Sequence, residues 1–425
     1  MARKQPVNYF TSIELGTHTV KVLMAREVPR EQTLELIGCG EADSLRGVKG
    51  EIANVAIVRE QLRQAIRQAE AQSGVDVRDT YVALAISGSY VTQRAFSTEV
   101  AVAAPDQTIT QGDINQAILN ARKSDLPADS FAISTTTRLF RLGDGRETLT
   151  PLGMLSDSLS VTTLTYAASQ MRLMPAVKCV GELLERDLNE ICYTPLALVA
   201  ACLRPSDVTL AGQLILDVGA GVTSYAVLTA AGCFTAGQLT VGAEHAANDL
   251  SLAFGLPIMM ARQMLCDFGR LECSVAPERV SSARLIELPK GPGMARSQVR
   301  ASSVELVVRE RLRELFELIH ESLEKEKALC HVGGTVLLSG GLSLLPGICE
   351  LAQSVFGMAV APARPHSFRG LEQTQARPGF VTPLGTLQNA RRNYAIYRAQ
   401  CSEEEPETPS LLRRLWRFAQ AVINF

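Results

Sequence analysis

Apolar residues recur along this chain with two different periods. Between 9 and 23 they alternate with small polar residues on either side of Gly16, the pattern of a strand, a tight turn and a second strand. Residues 51–72 shift to helical spacing, with Ile52, Val55, Ala56, Leu62, Ile66 and Ala69 roughly on one face. The apolar run 81–86 reads as a short buried strand that stops at Ser87-Gly88. From 89 to 166 the texture changes. β-rich pieces at 93–102, 131–142 and 159–166 accompany one helical segment, 110–123, and Asp144-Gly145 marks a turn. A stretch of roughly 80 residues is large enough for a small α+β domain set into a larger one.

Helical spacing returns at 170–188 through Met171, Met174, Val177, Val180, Leu183 and Leu184. Residues 212–228 then repeat the opening design: Leu214-Ile215-Leu216, an aspartate, a glycine-rich turn and a second strand at 223–228. Recurrence of a strand–turn–strand at the head of two halves implies internal duplication. Helices are expected at 242–254 and 259–268, and a turn-rich stretch at 272–297. A long amphipathic helix at 304–330 has Val304, Val307, Val308, Leu312, Leu315, Phe316, Ile319 and Leu323 on its apolar side. Its Arg309, Arg311, Arg313 and Glu/Lys run read as a solvated face. Strand 335–339 runs into Gly340-Gly341 and a helix at about 345–356, and the acidic, proline-punctuated 402–409 reads as a linker.

Composition narrows the function classes. Lysine plus arginine number 42 against 44 aspartate plus glutamate, so there is no global field to hold nucleic acid. The ten cysteines form no C-x-x-C pair, which argues against a zinc site and for buried free thiols in a reducing compartment. Arg3 and Lys4 are followed by no apolar stretch, so a signal peptide is not expected, and no run of ~18 apolar residues is present to span a bilayer.

The last residues offer a different route to a membrane. Behind a capping Ser410, Leu411, Leu412, Leu415, Trp416, Phe418, Val422, Ile423 and Phe425 supply the apolar side of a helix, and Arg413, Arg414 and Arg417 gather opposite. Arginines towards anionic headgroups and a tryptophan at the boundary describe a helix lying in the interface plane. Three arginines contribute on the order of 3 kcal/mol there.

Two glycine turns carry the candidate chemistry: Glu14-Leu15-Gly16-Thr17-His18-Thr19 and Asp217-Val218-Gly219-Ala220-Gly221-Val222-Thr223. Backbone N–H groups in facing turns make a concave anion site, and a carboxylate before each turn can hold Mg2+ through waters. A third turn, Ser339-Gly340-Gly341-Leu342, leads into a helix and can take an adenosine or phosphate edge.

At these residues the chain resembles the actin, sugar-kinase and chaperone superfamily, and within it the FtsA family of bacterial division proteins. The runs Gln238-Leu239-Thr240-Val241-Gly242-Ala243, Asn248-Asp249-Leu250, Ala253-Phe254-Gly255, Leu337-Leu338-Ser339-Gly340-Gly341 and Pro346-Gly347 carry the resemblance, as does the position of the insert. It implies an α/β, ribonuclease-H-like duplicated actin fold: two lobes, an FtsA-type (SHS2) inserted subdomain and a C-terminal amphipathic helix. The implied division is 10–88 continued by 167–210 for subdomain 1A, 89–166 for the insert (1C-like), 211–242 continued by 333–397 for 2A, 243–332 for 2B, 398–410 for the linker and 411–425 for the membrane helix.

The resemblance further implies ATP and Mg2+ as ligands, held by Glu14, Gly16, Thr17, His18, Thr19, Lys21, Asp217, Gly219, Ala220, Gly221, Val222, Thr223, Gly242, Arg262, Gly340, Gly341 and Leu342, with Glu14 and Asp217 for the metal. Departures stand beside it. Glu14 replaces an aspartate, Val222 lacks a hydroxyl and Ser224 a carboxylate, and 261–265 reads Ala-Arg-Gln-Met-Leu where the family has Ala-Glu-x-x-Lys. No residue is seen to position an attacking water, so weak or absent hydrolysis is expected. The implied role is a tether between the ring of the tubulin-like FtsZ and the cytoplasmic face of the membrane at the division site, by a head-to-tail polymer. Implied partners are the FtsZ tail at Arg296, Arg300 and Arg311, anionic lipids, and other division proteins at the insert. The rival readings are a pilus-assembly ATP-binding protein at the inner membrane and a small-molecule kinase of the same superfamily, with a shape-determining actin homologue further off.

Overall fold

The opening hairpin forms as its alternation predicts. β1 (Tyr9–Leu15) pairs antiparallel with β2 (Thr19–Val28), placing Glu14 opposite Lys21. The computed structural model describes residues 8–401 except 29–30, 32, 45–46, 49, 53, 122–125, 204–211, 272–283 and 289–297. β3 (Thr33–Asp43) extends the sheet with every second residue buried. A short hairpin, β4 (Gly47–Val48) and β5 (Glu51–Ile52), leads to α1 (Val55–Ser73). The helix expected from 51 thus begins four residues late. Glu51 and Ile52 are drawn into strand pairing, and Asn54 caps the helix by accepting from the Ile57 N–H at 3.1 Å. Its buried face is Val58, Leu62, Ala65, Ile66 and Ala69.

β6 (Tyr81–Ile86) lies parallel to β1. The insert follows: β7 (Val91–Ala101), α2 (Gln111–Ala121), β8 (Ser130–Leu142), β9 (Glu147–Thr148) and β10 (Ser158–Ser169), in the sheet order β7-β10-β8-β9. Ile114, Ala117 and Ile118 of α2 pack on Phe140, Leu159 and Val161. The chain returns through α3 (Gln170–Leu184), β11 (Glu190–Tyr193) and the fully buried α4 (Thr194–Cys202). α3 stops short of the expected 188 because Glu185 takes a left-handed backbone, φ 54°, and Met171 lies exposed rather than on the apolar face.

The second half comprises β12 (Gln213–Val218), β13 (Thr223–Thr229), β14 (Gly232–Leu239), α5 (Ala243–Phe254), α6 (Ile258–Phe268), β15 (Leu285–Glu287), β16 (Gln298–Arg300), α7 (Ala301–Lys325), β17 (Val336–Ser339), α8 (Ile348–Phe356) and β18 (Val360–Pro362). β19 (Phe368–Arg369), α9 (Glu372–Gln375) and α10 (Val381–Cys401) close the described chain. The long helix expected over 304–330 ends at Lys325, and its buried side carries the predicted Val304, Val308, Leu312, Leu315, Phe316, Ile319 and Leu323, with the predicted Val307 only half-buried.

The duplication is explicit in the sheets. The first runs β3-β2-β1-β6-β11 with β19 added beside β3; the second runs β14-β13-β12-β17-β18. Strand senses match too: two antiparallel steps, then two parallel ones. α10 crosses back to the first half, where Phe380, Leu384, Leu387 and Ala390 join Phe10, Leu23, Tyr81 and Ala83 in one core. Its other buried stripe is polar: Thr382, Thr386, Asn389 and Asn393.

The insert, covalently part of the first half, also leans on the second. Gln93 donates to Glu326 Oε1 at 2.9 Å, Arg138 to the Glu326 carbonyl at 2.9 Å, and Thr235 of β14 to Glu326 Oε2 at 2.6 Å. Arg138 also lies over the Phe234 ring, 4.5 Å from its centroid. A guanidinium at the C-terminal end of α7 is favourably placed against the helix dipole.

No helix among the described residues is long and apolar enough to cross a membrane. Eight cysteines are described as free thiols; Cys266 and Cys330 are exposed, so not all are buried as expected. The segment 411–425 lies outside the described residues.

Candidate functional site

Equivalent positions in the two halves build equivalent turns. Gly16 N–H donates to the Thr19 carbonyl at 3.0 Å, and Gly219 N–H to the Val222 carbonyl at 3.1 Å. The two turns meet across the cleft. A Cβ on Gly221 would lie 2.5 Å from Thr17 Oγ1 and 2.9 Å from its Cγ2, so only glycine permits this approach. The third turn closes on the second: Gly340 has φ +89°, and a Cβ there would lie 2.4 Å from the Val218 carbonyl oxygen. Gly341 next to it faces open space, and Leu342 is buried.

Beneath the turns, Lys21 Nζ binds Glu14 Oε2 at 3.1 Å and the Gly379 carbonyl at 2.5 Å, with both side chains mostly buried. Asp217 faces them from the other half. Its carboxyl is pushed up to about 6, first by desolvation and then by the Glu14 charge, against the opposing pull of Lys21, Ser339 and Thr382. Two carboxylates beside one lysine form an arrangement suited to a cation.

The remaining predicted residues divide. Thr223 is buried and donates to the Val241 carbonyl at 2.8 Å, anchoring the second turn. Val222 is buried too, His18 is exposed, and Thr19 closes the first turn. Gly242 precedes α5, but the first N–H groups of that helix are already engaged: Ala243 N–H donates to Gly219 O at 3.1 Å and Glu244 N–H to Ala220 O at 2.8 Å. Arg262 is drawn into an ion pair with Glu244 at 2.7 Å. Arg311 is held by Asp249, at 2.5 and 3.0 Å, and by Glu314. Arg300 immediately precedes α7, and Arg296 lies outside the described residues.

The structural roles of several residues were missed by sequence reading. Gln238 reaches from β14 to grip Gly88 of the other half, accepting from its N–H at 2.9 Å and donating to its carbonyl. Ser339 donates to the Pro378 carbonyl at 3.1 Å, and Thr382 sits by Asp217. A signal for one was present: Ser87-Gly88 stands at the end of β6 as Ser339-Gly340 stands at the end of β17, the same place in the duplicated design. A cavity of about 30 Å3 lined by Glu14, Gly16, Ser87, Tyr90, Arg172 and Thr194 is large enough only for water.

The site fits a nucleotide with its divalent cation on two observations. The carboxylate oxygens of Glu14 and Asp217 are hard donors beside Lys21, and the Thr382 hydroxyl is buried there without a hydrogen-bond partner of good geometry. With Thr17 against Gly221, a polyphosphate between the turns requires the two halves to part.

Comparison with known proteins places this architecture. Solved structures sharing it include a chain of the PilM-PilN type IV pilus biogenesis complex, with TM-score 0.62, 18% identity, 91% of this chain and 99% of that one covered. MreB5 of Spiroplasma citri bound to ADP is similar at TM-score 0.52, 12% identity and coverage of 93% and 99%. The fold is therefore actin-like. Relatives described as cell division protein FtsA include one from Neisseria meningitidis, 25% identical over 391 residues, 91% of each chain. Another, from Pseudomonas aeruginosa, is 25% identical over 430 residues, 99% of each chain. A family model for cell division protein FtsA matches residues 214–385, and a model for the SHS2 domain inserted in FTSA matches 88–166. The insert and the second half carry the same signature, the relatives extend it over nearly the whole chain, and the chain belongs to the FtsA family of cell division proteins.

Proposed function

We propose that this division protein is a nucleotide-gated membrane adaptor: it binds Mg-ATP between its halves, polymerises head to tail, and ties the FtsZ tail to the cytoplasmic face of the membrane at the division site. The observation that carries the nucleotide part is the meeting of the two glycine turns, Thr17 against Gly221, above the Glu14–Lys21–Asp217 cluster. Lys21, the turn amides and Gly340-Gly341 would receive the nucleotide, and Glu14 and Asp217 the cation through its waters. A bound cation neutralises the two carboxylates, and phosphate draws Lys21 away from Gly379. Those changes supply differential contacts between an open and a closed form, which is what gating requires.

The membrane part rests on 411–425, where leucines, Trp416 and Phe418 face three arginines. One such helix holds weakly and reversibly; an array on a polymer holds through avidity. Arg296, Arg300 and Arg311 are the proposed seat for the acidic part of the FtsZ tail, and Arg311 becomes available by exchanging Asp249 for the peptide. Other division proteins are assigned to the insert. The likeness to the PilM chain is one of fold, and the family match favours division over pilus assembly.

The test is co-sedimentation with anionic vesicles of the full chain and of a chain ending at Pro409, each with and without Mg-ATP. The full chain pelleting, the shortened chain staying in solution and a response to Mg-ATP support the reading. If both stay in solution, the tail is no anchor and the adaptor reading fails.

A further inference from the structure

Gln238 carries the second half across to the first. Its side-chain amide meets one residue twice: Oε1 accepts from the Gly88 N–H at 2.9 Å, and Nε2 donates to the Gly88 carbonyl. An amide that engages both polar groups of one residue fixes distance and direction together. Gly88 is buried, so its two groups depend on this partner rather than on water while the halves stay together.

Both ends of the contact are stiff. Gln238 stands opposite Ser224 in the β13–β14 register, one pair along from Thr223, which follows directly on the second glycine turn. Thr223 donates to the Val241 carbonyl at 2.8 Å, so the strand end that holds Gln238 is tied to that turn. Gly88 lies just past β6, which runs parallel to β1, the strand leading into the first glycine turn. Its carbonyl also accepts from the Val91 N–H at 3.0 Å. Next to it, Arg172 donates to Ser89 Oγ at 2.7 Å and lies over the Tyr90 ring. The β4–β5 hairpin presses from the other side: a Cβ on Gly50 would lie 2.3 Å from the Ser87 carbonyl oxygen. Residues 87–90 are thus fastened to the first half and cannot follow Gln238 when the second half moves. A polyphosphate between the turns needs the contact of Thr17 with Gly221 to open. Hydrogen bonds are lost beyond about 3.5 Å, so a parting of about 1 Å at Gln238 ends both.

We propose that the Gln238–Gly88 pair is a latch that holds the nucleotide-free chain shut, and that nucleotide is admitted by breaking it. The inference rests on the nucleotide reading above and goes beyond it by assigning an inhibitory contact to a side chain outside the glycine turns. A ligand that binds only the parted form is weakened by the share of chains that are latched, so loosening the latch tightens binding.

The experiment uses the full chain, equilibrium binding of ATP with Mg2+, and amide hydrogen exchange read at Gly88. In the natural chain Gly88 is protected without nucleotide, and saturating Mg-ATP hastens its exchange about tenfold. Gln238→Ala removes both bonds. It tightens Mg-ATP binding roughly tenfold, the worth of one to two neutral hydrogen bonds, and leaves Gly88 exchanging fast with or without nucleotide. Gln238→Glu keeps an acceptor for the Gly88 N–H but sets a second oxygen against the Gly88 carbonyl, so it also tightens binding. Three results overturn the proposal while leaving the nucleotide reading intact: Mg-ATP binds but exchange at Gly88 is unchanged or slower, Gln238→Ala binds Mg-ATP as the natural chain does, or it binds more weakly. If neither the natural chain nor Gln238→Ala binds Mg-ATP, the nucleotide reading falls and this inference falls with it. Should Gln238→Ala not fold, Gln238→Glu and the exchange of Gly88 in the natural chain still decide.

Discussion

Gly221→Ala puts a methyl group into the gap between the two halves. The added Cβ would lie 2.5 Å from Thr17 Oγ1, 2.9 Å from Cγ2 and 3.1 Å from Cβ, well inside the ~3.5–4.0 Å at which carbon atoms rest. Overpacking of this kind costs about 1–3 kcal/mol. Against it, alanine loses less unfolded-chain entropy than glycine, about 0.4–1 kcal/mol in its favour where the backbone suits it. Taking the two together, Gly221→Ala destabilises the nucleotide-free chain by about 1–2 kcal/mol. Thr17→Ala removes Oγ1 and Cγ2, the two closest atoms, and leaves a single tight contact. In that background Gly221→Ala costs close to nothing, so the double-mutant cycle shows a coupling of about 1–2 kcal/mol. Urea unfolding of the four chains without Mg2+ or nucleotide reads it directly. Additivity to within about 0.3–0.5 kcal/mol contradicts the contact, because residues that do not touch add to that margin.

Glu190 gives a pH dependence. It is 3% exposed, and burial pushes its carboxyl up to about 7, against opposing hydrogen bonds from Asn393 and Tyr81. The folded chain therefore holds this proton more tightly than the unfolded one. The stabilisation is complete below about 4.5 and is lost as pH rises through about 7, a swing of about 3 kcal/mol at most. Glu190→Gln flattens the stability–pH profile between 5 and 8; an unchanged slope rejects the assignment. Glu326→Ala strips Gln93 and Thr235 of a shared acceptor and costs about 1–3 kcal/mol. Hydrogen exchange in β7 and β8 should quicken in that variant, and unaltered exchange there shows that the insert is not latched to the second half. Gly340→Ala combines a left-handed backbone with a contact at 2.4 Å to Val218 and should unfold at distinctly lower temperature; a change within about 0.5 kcal/mol argues against the turn as described.

The periodic elements were legible in the sequence because periodicity reports a half-buried face. The hairpins at 9–23 and 212–228, the insert strands and α7 all show one apolar side. α4 was not legible, since all nine of its residues are buried and no polar phase marks its turns. α10 was missed for the opposite reason: the side it buries mixes Leu384, Leu387 and Ala390 with Thr382, Thr386 and Asn389. The glycine turns were readable as local chemistry, and their place at the heads of two repeated units foretold that they would face each other. Pairings across the halves were not readable. Gln238 with Gly88, Lys21 with Gly379 and Glu326 with Gln93 join residues 150, 358 and 233 positions apart, and nothing local marks them. Nor did anything local mark that Arg262 and Arg311, both assigned to ligands, are paired with Glu244 and Asp249 in this structure.

The adaptor claim requires one molecule to hold lipid and partner together, so the direct measurement is recruitment of a fluorescent FtsZ tail peptide to anionic vesicles. The account predicts that the peptide sediments with vesicles carrying the full chain, stays in solution with the chain ending at Pro409, and follows the protein more closely when Mg-ATP is present. Peptide that remains in solution while the full chain covers the vesicles contradicts it.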